Sequence, residues 1–115
     1  MHELSIAQSL VDLASHAAVE AKAKKVEALH LRLGALAGVV KDALLFGYEV
    51  VTQNTLLEGS RLVIDELPVV IYCPQCNLES TLVGTYRFRC ASCGRPTAHI
   101  VQGKELELVS LEYAD

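Results

Sequence analysis

All four cysteines of this 115-residue chain fall into two Cys-x-x-Cys pairs, Cys73-Pro74-Gln75-Cys76 and Cys90-Ala91-Ser92-Cys93, with thirteen residues between them. One such turn can present two sulfurs to a single ion. Two turns, joined by a segment long enough for a short hairpin, complete a tetrahedral four-sulfur cage. Zinc, about 2.3 Å from each sulfur, is the usual occupant of a closed cage of this kind. A rubredoxin-like iron site would use the same four ligands. A thioredoxin-like redox pair would open a helix after a strand. Here the first pair follows the β-branched run Val69-Val70-Ile71, with no amphipathic helix after it. Two disulfides satisfy the cysteine count but lack the secretory signal that would go with them. A closed four-thiolate site has no open position for substrate, so it gives shape rather than catalysis.

The other candidate donors lie at the front of the chain, Met1-His2-Glu3. A free Met1 amine, the His2 amide nitrogen and the His2 imidazole close two fused chelate rings on one ion, and the Glu3 amide nitrogen is next along the chain. Four nitrogens in a plane suit Ni(II) or Cu(II). Amine and amides ligate only after losing protons, so affinity falls with pH. Most second-position histidines are simply exposed termini, and spacing alone does not separate the two readings. No Gly-rich phosphate loop, Gly-x-Ser-x-Gly elbow or His-Glu-x-x-His helix appears, and the cysteines are committed to metal.

Composition fits a globular domain core or a small core with a metal-stapled appendage, at 51% hydrophobic and 21% charged residues. There is no apolar run of about 18 residues and no basic stretch followed by an apolar signal core. With unpaired thiols this predicts a cytoplasmic protein. Formal net charge is −4. Four thiolates on a divalent ion add two more negative charges, which disfavours nucleic acid as the main partner. The alternative reading is a zinc-ribbon module for nucleic acid or a transcription partner. It would use Arg87, Arg89 and Arg95, with rings from Tyr86 and Phe88 against bases. Otherwise Tyr86 and Phe88 pack the small core beside the metal.

The elements that must carry these groups show in the periodicity. Leu4 to Ala23 reads as an amphipathic helix, with Ile6, Ala7, Leu10, Ala14, Ala17 and Ala21 on one face and Leu13 extending it. Ser5 and Gln8 fit a capping box, and Lys22, Lys24 and Lys25 suit a helix C-terminus. His16 lies four residues from Asp12 and from Glu20 on the solvated face. Val26 to Leu33 alternates as a half-buried strand with His30 and Arg32 facing solvent. Lys41 to Thr52 is a second helix carrying Leu44, Phe46, Val50 and Val51. It is apolar on more than one side, which fits core packing and also leaves room for a homodimer contact. Arg61 to Leu67 is a strand, Pro68 a boundary, and Gln102-Gly103-Lys104 a hairpin-type turn. Glu105 to Tyr113 is a last strand whose phase change predicts a bulge or a two-faced central position. That strand would return to the first sheet. The predicted fold is therefore α+β: a domain of two helices and a three-stranded sheet over 1–68 and 100–115, with a β-rich, four-cysteine zinc-ribbon module inserted at 69–99.

Four stretches in this order, Met1 to Ala7, Leu31 to Val39, the paired cysteines and Gly103 to Leu108, span the chain and resemble the HypA/HybF family. The resemblance implies a nickel metallochaperone, not an enzyme, that matures NiFe-hydrogenase and, in some organisms, urease. It places Ni(II) on His2 with the Met1 amine and the Glu3 backbone, and Zn(II) on Cys73, Cys76, Cys90 and Cys93. It implies as partners the GTPase HypB, the hydrogenase large-subunit precursor and, where urease is served, its accessory proteins. Neither nucleic acid nor membrane is implied. Ala35 departs from the family's strand-end motif, where an acidic residue is expected. His99, at the exit of the zinc module, is a further candidate nickel ligand or else an exposed loop residue.

Overall fold

The computed structural model describes residues 3–84 and 86–115, so Met1 and His2, with the nickel donors expected there, lie outside the described residues. Among the described residues, two helices and six strands follow one another as α1 (Glu3–Glu20), β1 (Lys25–Gly34), α2 (Lys41–Val51), β2 (Arg61–Leu67), β3 (Val69–Cys73), β4 (Leu78–Leu82), β5 (Ile100–Gln102) and β6 (Leu106–Ala114). The strands form two three-stranded sheets, ordered β2-β1-β6 and β4-β3-β5. Pro68, which lacks an N–H for a ladder, stands at the change from one sheet to the other. The expected α+β class holds, and the last strand does return to the first sheet.

The chain divides into two compact units. The first comprises the described part of Met1–Leu31 with Gly38–Asp65 and Glu107–Asp115; the second comprises Arg32–Ala37 and the described part of Glu66–Leu106. In the first unit α1 buries Ile6, Ala7, Leu10, Val11, Ala14 and Ala18. Val11 and Ala18 take the places expected of Leu13, Ala17 and Ala21, all three of which are exposed. The buried face is thus rotated by about one residue, toward small side chains that let helices approach closely. Gly47 of α2 makes the same use of size: a Cβ there would stand 3.4 Å from the Leu4 Cα and 3.7 Å from the Ala7 Cβ. Since α1 starts at Glu3, Ser5 lies inside the first turn rather than capping it. The helix closes with Lys22 in the left-handed region at φ 58. Lys22 N–H bonds to the Val19 carbonyl and Ala23 N–H to the Ala18 carbonyl, the paired closure of a Schellman end.

Strand β1 takes the centre of its sheet and changes phase. Val26 and Ala28 are buried, and then Leu29, Leu31 and Leu33. The two-faced role expected of the last strand belongs here instead. β6 lies at the sheet edge, with Leu106, Leu108 and Leu111 half-buried but Val109 and Tyr113 exposed. On α2 only Leu44, Gly47 and Tyr48 are buried. Phe46 (69% exposed) and Val50 (45%) point away from the core they were expected to fill. Tyr48 shares a 2.6 Å hydrogen bond with the Ser60 hydroxyl, and burial raises its pKa.

In the second unit two of the sequence motifs meet. Gly34 N–H donates to the Glu105 carbonyl at 2.8 Å, and Leu36 N–H to the Gly103 carbonyl at 2.6 Å. A Cβ on Gly34 would overlap the Gly103 carbonyl group. Gly103, at φ 131, adopts a conformation L side chains rarely reach, and its N–H donates to the Glu105 carboxylate at 2.8 Å. The expected hairpin turn at 102–104 is therefore a link between strands of different sheets.

Candidate metal centre

Each Cys-x-x-Cys pair is shaped by the same device built from different residues. The first occupies the turn of the β3–β4 hairpin, whose antiparallel register runs from Val69 opposite Leu82 to Cys73 opposite Leu78. Asn77 N–H donates back to the Cys73 carbonyl at 2.8 Å, and Asn77 sits in the left-handed region at φ 57. Asparagine is among the few non-glycine residues that tolerate it. The Tyr72 hydroxyl donates to the Asn77 side-chain oxygen. In the second pair Gly94 N–H donates to the Cys90 carbonyl at 2.9 Å, with Gly94 at φ 74. Cys90 N–H then reaches the Arg95 carbonyl at 2.9 Å, and Arg89 pairs with Pro96 as an isolated bridge. Both loops thus curl their cysteines inward, and neither opens a helix, which removes the thioredoxin-like reading.

The four sulfurs lie within 4.8 Å of one another, and the Cys73 and Cys93 Sγ atoms are 3.7 Å apart. A tetrahedron with bonds of about 2.3 Å has edges of about 3.8 Å, so the cage fits a tetrahedral ion. All four cysteines are free thiols. Cys73 and Cys90 are buried, Cys76 is half-buried and Cys93 reaches the surface. Among the described residues this is the one group of three or more His, Cys, Asp or Glu side chains placed to share an ion. The protons on the sulfurs are unequally held. The Cys93 and Ser92 backbone N–H groups bring Cys90 down to about 6. Hydrogen bonding to Cys93, and then burial, push Cys76 up to about 12. Crowded thiols resist ionising together, and a divalent cation bound among them replaces those protons.

The remaining candidates are scattered. Glu3 is the first residue of α1, and its carboxylate accepts the N–H of Val40, the residue before α2, at 3.0 Å. Val40 has no side chain able to cap that helix, so a glutamate 37 positions away does so, where a negative charge also favours the helix dipole. His30 is not simply solvent-facing: its Nε2 lies 2.5 Å from the Glu112 carboxylate. Glu112 is held below its ordinary value by that hydrogen bond, with a smaller contribution from the His30 charge. His16 sits 3.2 Å from Glu20 on the exposed face, as its spacing predicted. His99 packs edge-on against Tyr72, the residue before Cys73, with ring centroids 5.4 Å apart. Arg87 and Arg95 are exposed, but the Arg89 guanidinium donates to the Gly94 carbonyl at 3.1 Å and so braces the second loop. Tyr86, expected beside the metal, is 40% exposed, whereas Phe88 is half-buried. Sequence reasoning missed Ser80, a buried hydroxyl that accepts the Ala91 N–H at 3.2 Å. Its signal was a lone serine opposite Ile71 in the short strand beside the first pair.

The family described as hydrogenase/urease nickel incorporation, metallochaperone, hypA matches residues 1–113. Among relatives, the chain is 54% identical over 112 residues to the hydrogenase maturation factor HypA of Chloroflexus aurantiacus, covering 97% of this chain and 98% of that one. It is 51% identical over 115 residues to the protein of that name from Roseiflexus sp. (strain RS-1), covering 100% and 94%. The solution structure of the Ni metallochaperone HypA from Helicobacter pylori aligns with a TM-score of 0.67 at 26% identity, over 99% of this chain and 98% of that one.

Proposed function

The chain belongs to the HypA family, a family of metallochaperones rather than enzymes, and from that premise we propose that it carries Ni(II) and delivers it during maturation of NiFe-hydrogenase. The match over residues 1–113 is the observation that carries this reading. Nickel is cargo, held by the Met1 amine, the His2 amide and imidazole nitrogens and the Glu3 amide. That amide belongs to the first turn of α1, so its use as a ligand breaks no rung of the helical ladder. The Glu3 carboxylate accepts the Val40 N–H, which supports the reading by fixing the first residue of α1 next to the donors. A planar nitrogen site at the end of a chain exchanges readily, as a carrier requires.

Cys73, Cys76, Cys90 and Cys93 hold a structural Zn(II), which the sulfur cage fits in size and donor type. The ion ties two loops together and shapes a module that meets partners: a HypB-type GTPase, the hydrogenase large-subunit precursor and, where urease is also served, its accessory proteins. The reading places the protein in the cytoplasm. No helix among the described residues is long and apolar enough to cross a membrane. The exposed apolar positions Phe46 and Val50 leave a homodimer contact open to measurement.

The test is calorimetric titration of Ni(II) into untagged protein beside the His2→Ala variant. Loss of nickel binding is expected in the variant, at unchanged zinc content and unchanged folding. Undiminished nickel affinity would falsify the N-terminal site. An N-terminal tag, which turns the Met1 amine into an amide, should have the same effect as the substitution.

A further inference from the structure

Two buried polar side chains stand out among the described residues, Thr52 (4% exposed) and Ser80 (9%). Thr52 is accounted for by the turn that ends α2, where its hydroxyl bonds to the Glu49 carbonyl. Ser80 is not accounted for by its strand. It faces Ile71 across the β3–β4 ladder, a position an apolar residue would fill without losing hydration. Its hydroxyl instead accepts the N–H of Ala91, the residue between Cys90 and the rest of the second loop.

We propose that Ser80 is a positioning residue for the four-cysteine centre: fixed on β4, it holds the Ala91 amide and thereby sets the second pair of sulfurs against the first. Ile71, its cross-strand partner, lies two residues before Cys73, so a short hydrogen-bonded path joins one loop to the other. The exit of the second loop is braced separately: Thr97 N–H donates to the Phe88 carbonyl at 2.8 Å, and the Thr97 hydroxyl donates to the Tyr72 carbonyl of β3 at 2.7 Å. The isolated bridge between Arg89 and Pro96 closes the second loop on itself, and the stretch between its two cysteines is tied to the hairpin through Ser80. The edge at stake is the 3.7 Å separation of the Cys73 and Cys93 sulfurs. Cys93 is also the exposed member of the set, the sulfur from which an ion would first be released. Partners behind the ligands commonly change metal affinity by about 10- to 100-fold.

This inference rests on the four cysteines being metal ligands, and the experiment separates the two. The zinc-loaded full chain is mixed with a chromogenic chelator, and the rate of zinc transfer is followed for Ser80→Thr and Ser80→Val. The pair is nearly isosteric, and both residues suit a strand, so folding is matched while only one keeps a hydroxyl. Ser80→Val should release zinc about tenfold faster than the parent at the same stoichiometry, and Ser80→Thr should stay near the parent. In cobalt-substituted protein the Ser80→Val spectrum should shift, which a purely packing role would not produce. Thr52→Ala, the other buried hydroxyl, should lower the melting temperature and leave release unchanged. Equal release from the Thr and Val variants, with zinc held by the parent, overturns the role of Ser80 alone. A parent that binds no zinc overturns the metal reading and this inference with it.

Discussion

The two units are held together by different physics. The helix-bearing unit has an apolar interior: Val26, Leu29, Leu31, Leu44 and Leu57 are almost wholly buried, and the small residues of α1 let α2 approach. The cysteine-bearing unit has few such side chains. Leu33, Val69 and Ile71 are buried there, along with two of the cysteines themselves. Its β5 is three residues long, and its second loop is closed by single hydrogen bonds rather than a ladder. So small a core contributes little net stability, and small domains of this type usually add a metal or disulfides. One unit is therefore expected to fold on burial alone and the other on its ion.

The largest effect should come from removing the ion. Cys73→Ser, or prolonged chelation, is expected to unfold the second unit while the helical signal of the first persists. Structural zinc binding is worth about 10–16 kcal/mol in apparent free energy, more than such a core supplies. Amide hydrogen exchange resolves the units separately; protection retained at Ile71 after zinc removal would break the contrast. Next comes the mirror experiment. Leu44→Ala should destabilise the first unit by about 2–5 kcal/mol, the usual range for a buried leucine, seen as a lower melting temperature. Zinc stoichiometry below the melt should be unchanged, and loss of zinc there would show that the units do not stabilise themselves separately.

The smallest effect sharpens the comparison at the edge of the first sheet. Glu112 has its carboxyl pKa lowered by His30, so its contribution is present above the ordinary glutamate range and is lost as pH falls through the lowered value. The parent should melt slightly above Glu112→Gln near neutrality, and the gap should close as the solution is acidified below about pH 4.5. Both side chains are partly exposed, so the gap should also shrink with salt. A gap that widens in acid would reverse the assignment.

Much of this was legible in the residues. The strand Arg61–Leu67 and the span of α2 follow from local period, and the four-cysteine cluster from spacing. Other features were beyond its reach. On α1 the pattern offers Ala17, Ala21 and Leu13 as readily as Val11 and Ala18. The choice between them depends on where α2 lies, and Gly47 opens that approach. Phe46 and Val50 carry the same hydrophobic signal as Leu44 yet stay exposed, because hydrophobicity does not say which side of a helix another element will cover.

The sequence by itself determined the two helices, the strands β1, β2 and β6, and two cysteine turns able to share one ion, since these depend on residues a few positions apart. It did not mark β4 or β5. Tertiary structure decided which strand takes the centre of the first sheet and that Glu112 answers His30. It also decided that Gly34 must be bare to let Gly103 in and that Ser80 reaches the loop of Cys90. Those pairs are separated by 11 to 82 residues. A contact at that range is set by how whole elements pack, which no local period encodes.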